Sequence, residues 1–196
     1  MHDSIRPVTA WPGAIRTMAD ILAFEQTPWQ RSLPARNTYD LLCQACDRHP
    51  EQTALRFVLS GEPDAEEFAI SYAALKTRVT QAANAFHRAG IVNGKAVALL
   101  LPNLPQTHFA LLGAQAAGIV SPINPMLEVD YIASIVAETG AEAMVALAPV
   151  PDSDVWNKAV DVVDRCPSIR TLFVVSPSSY VNVPKRVLLK GLFAMA

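Results

Sequence analysis

The sequence predicts an α/β fold: a doubly wound, mainly parallel sheet with helices on both faces and a small β-hairpin attached. The first observation is the run at residues 96–101, which is apolar throughout and uncharged, as in a strand buried on both faces. The second is the helical segment at residues 105–117, followed by another apolar strand at residues 119–123. Together these segments form one βαβ unit, whose two strands lie parallel.

Proline and glycine mark the ends of the central helix. Pro105 suits its first turn, where the missing N–H breaks no intrahelical hydrogen bond, and Gly118 is placed to terminate it. Small residues between them, such as Gly113 and Ala114, allow close approach of the backbone. Because apolar or small residues surround this helix, we expect it to be buried on nearly every side.

The alternation of helix and strand continues after the central unit. A helix is predicted at residues 128–139, a strand at residues 142–147, a helix opened by Asp152 or Ser153, and a strand at residues 171–175. Such alternation indicates right-handed crossovers in a parallel sheet. In the first of these helices the expected buried face consists of Tyr131, Ile132, Ile135 and Val136.

Before the central unit the sequence predicts two helices and the hairpin. Asn37 or Thr38 can cap the first helix, and residues 53–59 and 67–70 can pair as antiparallel strands. Ser71 can cap the second helix, which closes near Gly90. The apolar face of the first helix is formed by Tyr39, Leu42, Cys43 and Cys46.

Three regions are predicted along the chain. Residues 1–36 show no sustained period and are expected to form an extended arm, whose aromatic and methionine side chains favour packing over lining a ligand tunnel. Residues 37–176 form the α/β unit. Residues 177–196 form a linker or helix that leads into a missing remainder of the same polypeptide. This tail is basic and amphipathic, so peripheral membrane contact is the alternative to packing on that remainder.

Composition excludes several classes of function. A chain of 196 residues with 51% apolar residues can form one domain with a sizeable core. The net charge of −2, with scattered Lys and Arg, argues against nucleic acid as a partner. Three cysteines, no signal stretch and no run of about 18 apolar residues predict a cytoplasmic protein with reduced thiols and no transmembrane segment.

A search for catalytic motifs finds none. The eight glycines form no G-x-G pattern, and the chain has no G-x-S-x-G nucleophile elbow and no His pair at metal spacing. Cys43 and Cys46 match C-x-x-C but lack a second pair, so core cysteines are favoured over a metal or redox site. His49, His87 and His108 are interpreted as structural. We therefore assign no catalytic, cofactor-binding or metal-binding residue.

Four short motifs follow one another in a characteristic order. They are Gly-Ile-x-x-Gly-Lys at residues 90–95, Leu-Pro-Asn at residues 101–103, Ala-Gly at residues 117–118 and Pro-Ile-Asn-Pro at residues 122–125. With this order and spacing, the chain from about residue 38 to 176 resembles the N-terminal part of the AMP-forming acyl-CoA synthetases. These fatty-acid–CoA ligases belong to the adenylate-forming, AMP-binding enzymes.

The resemblance implies a two-step reaction for a full-length enzyme. A carboxylic or fatty acid attacks the α-phosphate of ATP with Mg²⁺ to give acyl-AMP and pyrophosphate, and the thiol of CoA then displaces AMP. The family's Ser/Thr/Gly-rich phosphate loop and Tyr-Gly-x-Thr-Glu motif are absent here. We therefore expect the fragment alone to be inactive and to bind none of the cofactors ATP, Mg²⁺ and CoA.

A second hypothesis belongs to a different class of protein. The chain can be a non-enzymatic interaction or dimerisation module derived from half of a synthetase, and homodimer formation is left open. An apolar surface where the rest of an enzyme docks favours the fragment, whereas a surface closed by polar residues favours the module.

Overall fold

The computed structural model describes residues 15–26, 28, 35–61 and 65–180. Its main sheet has four parallel strands in the spatial order β4-β3-β5-β6. Their bounds are β3 (Ala96–Leu100), β4 (Ile119–Pro122), β5 (Ala143–Leu147) and β6 (Thr171–Val175). A separate antiparallel pair consists of β1 (Thr53–Val58) and β2 (Glu67–Ser71), with Phe57 opposite Phe68.

Six α-helices accompany the strands in the part of the chain that the structure describes. A short 3₁₀-helix at Pro177–Tyr180 follows β6. The α-helices are α1 (Met18–Glu25), α2 (Thr38–Arg48), α3 (Tyr72–Arg88), α4 (Pro105–Ala117), α5 (Val129–Thr139) and α6 (Val155–Arg165).

The strand order explains why helices cover both faces of the sheet. The connection through α4 runs from β3 to β4, whereas α5 and α6 lead in the opposite direction, to β5 and then β6. Right-handed crossovers in opposite directions place their helices on opposite faces. In agreement, α2 and α3 pack with α4, and α5 packs with α6. The predicted doubly wound α/β fold with an attached hairpin is confirmed.

The core is centred on the two inner strands. Every residue of β3 and β5 is buried, as expected for parallel strands covered on both faces. On one face of the sheet, Ile132 and Val136 of α5 are fully buried. On α3, Phe86 contacts Phe173 of β6 edge to face, with ring centroids 5.1 Å apart. Layers of apolar side chains therefore hold the sheet from both sides.

Most helix ends match the residues that predict them. Asn37 accepts a hydrogen bond from the backbone N–H of Asp40, and Ser71 accepts one from that of Ala74. Gly140 ends α5 at φ +58°, in the left-handed region that glycine tolerates. Helix α6 begins at Val155, slightly later than expected. The acceptor at its start is Ser153, whose Oγ lies 3.4 Å from the N–H of Val155.

Three expectations differ from the structure. The arm is not wholly extended, because Thr17 and Asp20 form reciprocal capping hydrogen bonds that start α1. Tyr131 is 66% exposed, since it lies about 100° around α5 from Ile132. Helix α4 is not buried on every side, because His108 and Gln115 share an exposed face. Most of the turn expected at residues 61–64, between the two hairpin strands, and the tail beyond residue 180 lie outside the described residues.

Helices α3 and α4 pack so closely that a glycine is required between them. A Cβ placed on Gly113 would lie 2.7 Å from Ala82 Cβ, 2.9 Å from the backbone N of Ala83 and 3.1 Å from the carbonyl oxygen of Val79. Two of these atoms are backbone, so the helices themselves would have to separate.

We expect Gly113→Ala to lower the free energy of unfolding by about 1–3 kcal/mol through overpacking. An exposed helical site would instead gain about 0.5–1 kcal/mol from the same change. Urea denaturation gives both the size and the sign. Gly61→Ala is the matched control, because nothing lies within 4 Å of its added Cβ. A stability increase at Gly113 would contradict the close packing of α3 and α4.

Candidate functional site

The strand order marks one edge of the sheet as the candidate site. Neighbouring strands β3 and β5 send their following chains to opposite faces, α4 on one side and α6 on the other. In open α/β sheets, ligands bind in the crevice that this divergence opens at the carboxyl ends of the strands. Residues 101–104 and 148–154 border this switch-point crevice.

A threonine hydroxyl shapes the chain that leaves β3. Leu104 precedes α4 and has no side-chain oxygen to cap it. The hydroxyl of Thr107 provides the reciprocal half of a capping box: Oγ1 accepts from the backbone N–H of Leu104 at 3.3 Å and donates to the carbonyl oxygen of Pro102 at 2.6 Å. Because both ends of the loop are bound to one hydroxyl, the Leu-Pro-Asn turn is held rigidly at the crevice.

The Pro-Ile-Asn-Pro segment is a structural turn beside the same edge. Ile123 is buried, and its N–H donates to the carbonyl oxygen of Leu99 at 2.9 Å. Oδ1 of Asn124 accepts from the N–H of Met126 at 3.0 Å, which is the local turn that asparagine favours. These bonds explain the residue types without requiring a ligand.

Lys158 connects the loops that follow β4 and β5 through an ion pair and a hydrogen bond. Its Nζ lies 2.9 Å from Oδ2 of Asp154 and donates to the carbonyl oxygen of Pro125 at 3.3 Å. Its side chain is only 13% exposed. The hydrogen bond from Lys158 holds the pKa of Asp154 below its usual value. This lysine is therefore engaged within the scaffold.

A glutamine at the start of α4 forms a hydrogen bond with the chain that follows β6. Nε2 of Gln106 donates to the carbonyl oxygen of Ser176, directly after β6, at 3.2 Å. Gln106 lies in none of the four sequence motifs described above. No local signal could have found it, because its partner lies 70 residues away.

The Gly-Ile-x-x-Gly-Lys motif lies at the opposite, amino edge of the sheet. Gly90 and Gly94 have φ angles of +86° and +87°, which explains the glycines. Nζ of Lys95 lies 2.9 Å from Oε2 of Glu142, just before β5. The motif thus joins the starts of β3 and β5 and contributes nothing to the crevice.

The cysteines and histidines that were considered as candidates are dispersed. Cys46 is buried and Cys43 half-buried on α2, both with free thiols, and burial raises the pKa of Cys46. Nδ1 of His87 lies 2.9 Å from the carbonyl oxygen of Ile91, and His49 and His108 are exposed. Within residues 15–26, 28, 35–61 and 65–180, no cluster of three metal-ligating side chains occurs.

The Thr107 hydroxyl offers a direct test of the crevice border. Thr107→Val keeps the shape but leaves the N–H of Leu104 without its acceptor, so we expect a loss of about 1–2 kcal/mol in the free energy of unfolding. Thr107→Ser keeps the hydroxyl and is the matched control. Guanidinium denaturation of both variants compares them, and equal losses would show that the hydroxyl does not shape this turn.

Comparisons with known proteins place the fold in a family. The model of the family described as "AMP-binding enzyme" matches residues 42–184. Marinolic acid–CoA ligase of Pseudoalteromonas sp. (strain SANK 73390) is 32% identical over 174 residues, which are 89% of this chain and 27% of that protein. Long-chain-fatty-acid–CoA ligase of Bacillus subtilis (strain 168) is 24% identical over 82% of this chain and 26% of its own length.

Solved structures share the fold. The anthranilate CoA ligase AuaEII, solved with anthranoyl-AMP, has a TM-score of 0.61 at 18% identity, over 76% of this chain and 26% of that one. The N-terminal domain of FACL13 from Mycobacterium tuberculosis has a TM-score of 0.56 at 20% identity, over 71% of this chain and 34% of that domain.

The chain spans about a quarter of the length of the two ligase relatives described above. In the part of the chain that the structure describes, no helix is long and apolar enough to cross a membrane. The family match covers most of the α/β unit, including the sheet and both of its helical layers. The chain therefore belongs to the AMP-binding enzyme family.

Proposed function

We propose that this chain is the N-terminal part of an ATP-dependent acyl-CoA synthetase. The full-length protein converts a carboxylic or fatty acid, ATP and CoA into acyl-CoA, AMP and pyrophosphate through an acyl-adenylate. The family match over residues 42–184 carries this proposal. The relatives named as CoA ligases support the choice of acid–thiol ligation among the reactions of the family.

The chemistry of the crevice supports a scaffold role for these residues. Adenylate formation requires N–H donors and cations at a developing phosphoryl charge. At the described edge, Lys158 is bound to Asp154 and to the carbonyl oxygen of Pro125. The hydroxyl of Thr107 is likewise used within its own turn. The ATP, Mg²⁺ and CoA sites therefore use groups from the remainder of the polypeptide, and the isolated chain is inactive.

Exposed apolar side chains favour the fragment over an independent module. Met18 and Leu22 of α1 are 68% and 54% exposed. At the two outer strands of the described sheet, Ile119 and Val174 are 53% and 50% exposed. Contact with the remainder of the same polypeptide would remove these side chains from water. The non-enzymatic dimerisation module is the second candidate, and the same apolar positions would then meet a second copy.

The proposal also includes a cellular location for the full-length enzyme. The free cysteines of the described residues suit a reducing compartment, which supports a cytoplasmic location. The substrate is assigned only as a carboxylic acid, since no described side chain at the crevice distinguishes one acyl group from another.

Cofactor binding separates the fragment from a complete enzyme. Titration of the isolated chain with Mg·ATP in a calorimeter is expected to show no binding with micromolar affinity. The polypeptide encoded by the complete natural reading frame is expected to release pyrophosphate when given ATP and a suitable carboxylic acid, and to consume CoA in the second step.

Two results would contradict the proposal. Micromolar binding of Mg·ATP to the isolated chain would show that the cofactor site is already present. A natural reading frame that ends at Ala196, with a chain that sediments as a dimer, would instead establish the interaction module.

A further inference from the structure

Two cysteines lie one helical turn apart on the buried side of α2. Cys43 and Cys46 occupy positions i and i+3 of this helix, so their Cβ atoms lie about 5–6 Å apart on one face. Helix α2 packs against α3 and α4. Cys46 is 2% exposed, whereas Cys43 is half-buried, and both thiols are free. The pair is therefore a dithiol with one sulfur in the core and the other partly accessible from solvent.

Two contacts hold α2 against α3 on either side of this dithiol. Before it, the hydroxyl oxygens of Tyr39 and Thr80 lie 2.7 Å apart and share a hydrogen bond. After it, Nζ of Lys76 donates to Oδ1 of Asp47 at 2.6 Å. Because α2 is fixed to its neighbour at both points, the two cysteines between them keep their helical spacing.

That spacing selects the chemistry open to the dithiol. A disulfide requires Cβ atoms about 3.5–4.5 Å apart, which is closer than the spacing between neighbouring turns of a helix. Structural zinc takes four ligands, and among the residues that the structure describes no third His, Cys, Asp or Glu joins the pair. An ion held in line by two thiolates spans two bonds of about 2.3 Å, so its sulfurs lie about 4–5 Å apart. Side chains at positions i and i+3 fit this last separation.

The charges around the pair suit a monovalent ion. Two thiolates and one Cu(I) leave a single negative charge, which is costly beside the core unless a cation lies near it. Burial raises the pKa of the Cys46 thiol and the neighbouring Cys43 raises it further, whereas the ammonium of Lys76 lowers it. That ammonium is therefore within electrostatic reach of the sulfur and offsets the remaining charge. Thiolate ligands also favour Cu(I) over hard cations.

We propose that Cys43 and Cys46 form a two-coordinate site for a soft monovalent metal ion of the Cu(I) class. The accessible thiol of Cys43 receives the ion, and Cys46 completes the coordination from the core. Two sulfur–metal bonds form, and the two thiol protons pass to the solvent. Neither cysteine borders the switch-point crevice, so this inference does not depend on the ligase activity.

Anaerobic titration of the 196-residue chain with Cu(I), in competition with a chromophoric Cu(I) chelator, tests the proposal. We expect one ion bound per chain, with an X-ray absorption spectrum of two sulfur ligands. Cys43→Ser should weaken binding about 10²–10⁴-fold, the range lost when one of two linked binding groups is removed. Cys166→Ser removes the remaining thiol, on another helix end, and is the matched control that should bind as the unchanged chain does.

Each result decides the assignment. Equal affinity of Cys43→Ser and the unchanged chain would overturn it, as would equal losses in Cys43→Ser and Cys166→Ser. Micromolar binding of Zn²⁺ at the same cysteines would contradict a site with only two ligands. A Cu(I)-loaded chain that sediments as a dimer would show that the ion bridges two chains rather than two turns of one helix.

A measurement on the unchanged chain keeps the test valid if a variant fails to fold. Iodoacetamide alkylates the accessible thiol of Cys43, and mass spectrometry of the peptides follows the reaction. Bound Cu(I) should slow this alkylation at least about tenfold, because the thiolate that acts as nucleophile is then a metal ligand. Alkylation of Cys43 at the same rate with and without Cu(I) would rule out the site.

Discussion

The structure depends on the burial of two strands on both faces. Every residue of β3 and β5 is buried. Two such strands can exist only if helices cover the sheet above and below, because parallel strands are connected by crossovers and both of their faces are apolar. After β4 the chain returns past β3 to β5 and then β6. This reversal places α5 and α6 on the face of the sheet opposite α4. Strand order, helix placement and the crevice at the carboxyl edge all follow from it.

Hydrogen bonds at the two edges of the sheet serve different purposes. At the amino edge, the ion pair of Lys95 and Glu142 joins the starts of the two inner strands. Both side chains are partly exposed, so its contribution to stability is about 0–1 kcal/mol. At the carboxyl edge, Thr107, Lys158 and Gln106 each bind a main-chain carbonyl oxygen of a different loop. The second edge is thus the one whose loop geometry is controlled by side chains.

Local signals explain how much of this fold can be predicted from the sequence. The apolar run at residues 96–101 coincides with β3 to within a residue, and Gly140 ends α5 in the expected left-handed conformation. Both signals are contained within a few consecutive residues. Helix α1 differs from the prediction because its eight residues are too few to establish a helical period, although the Thr17 and Asp20 pair is a recognisable cap.

Features that depend on how helices and strands pack in space could not be predicted from local sequence signals. Whether His108 on α4 faces water depends on where α3 and the sheet lie around that helix. The contact of Gln106 with Ser176 depends on β5 separating β3 from β6 in space. Residue type and spacing carry no information on either arrangement. The family resemblance identified the fold, but only the packed sheet shows which side chains border its carboxyl edge.

Two polar side chains at the carboxyl edge, those of Lys158 and Thr107, are bound to other groups of the same edge. Lys158 carries a positive charge and Thr107 a hydroxyl at this edge, and both have internal partners. Releasing Thr107 would leave the N–H of the buried Leu104 without its acceptor, which is costly, and releasing Lys158 would take a donor from the carbonyl oxygen of Pro125. In the described residues, both groups therefore serve first to hold the loops at the carboxyl edge in place.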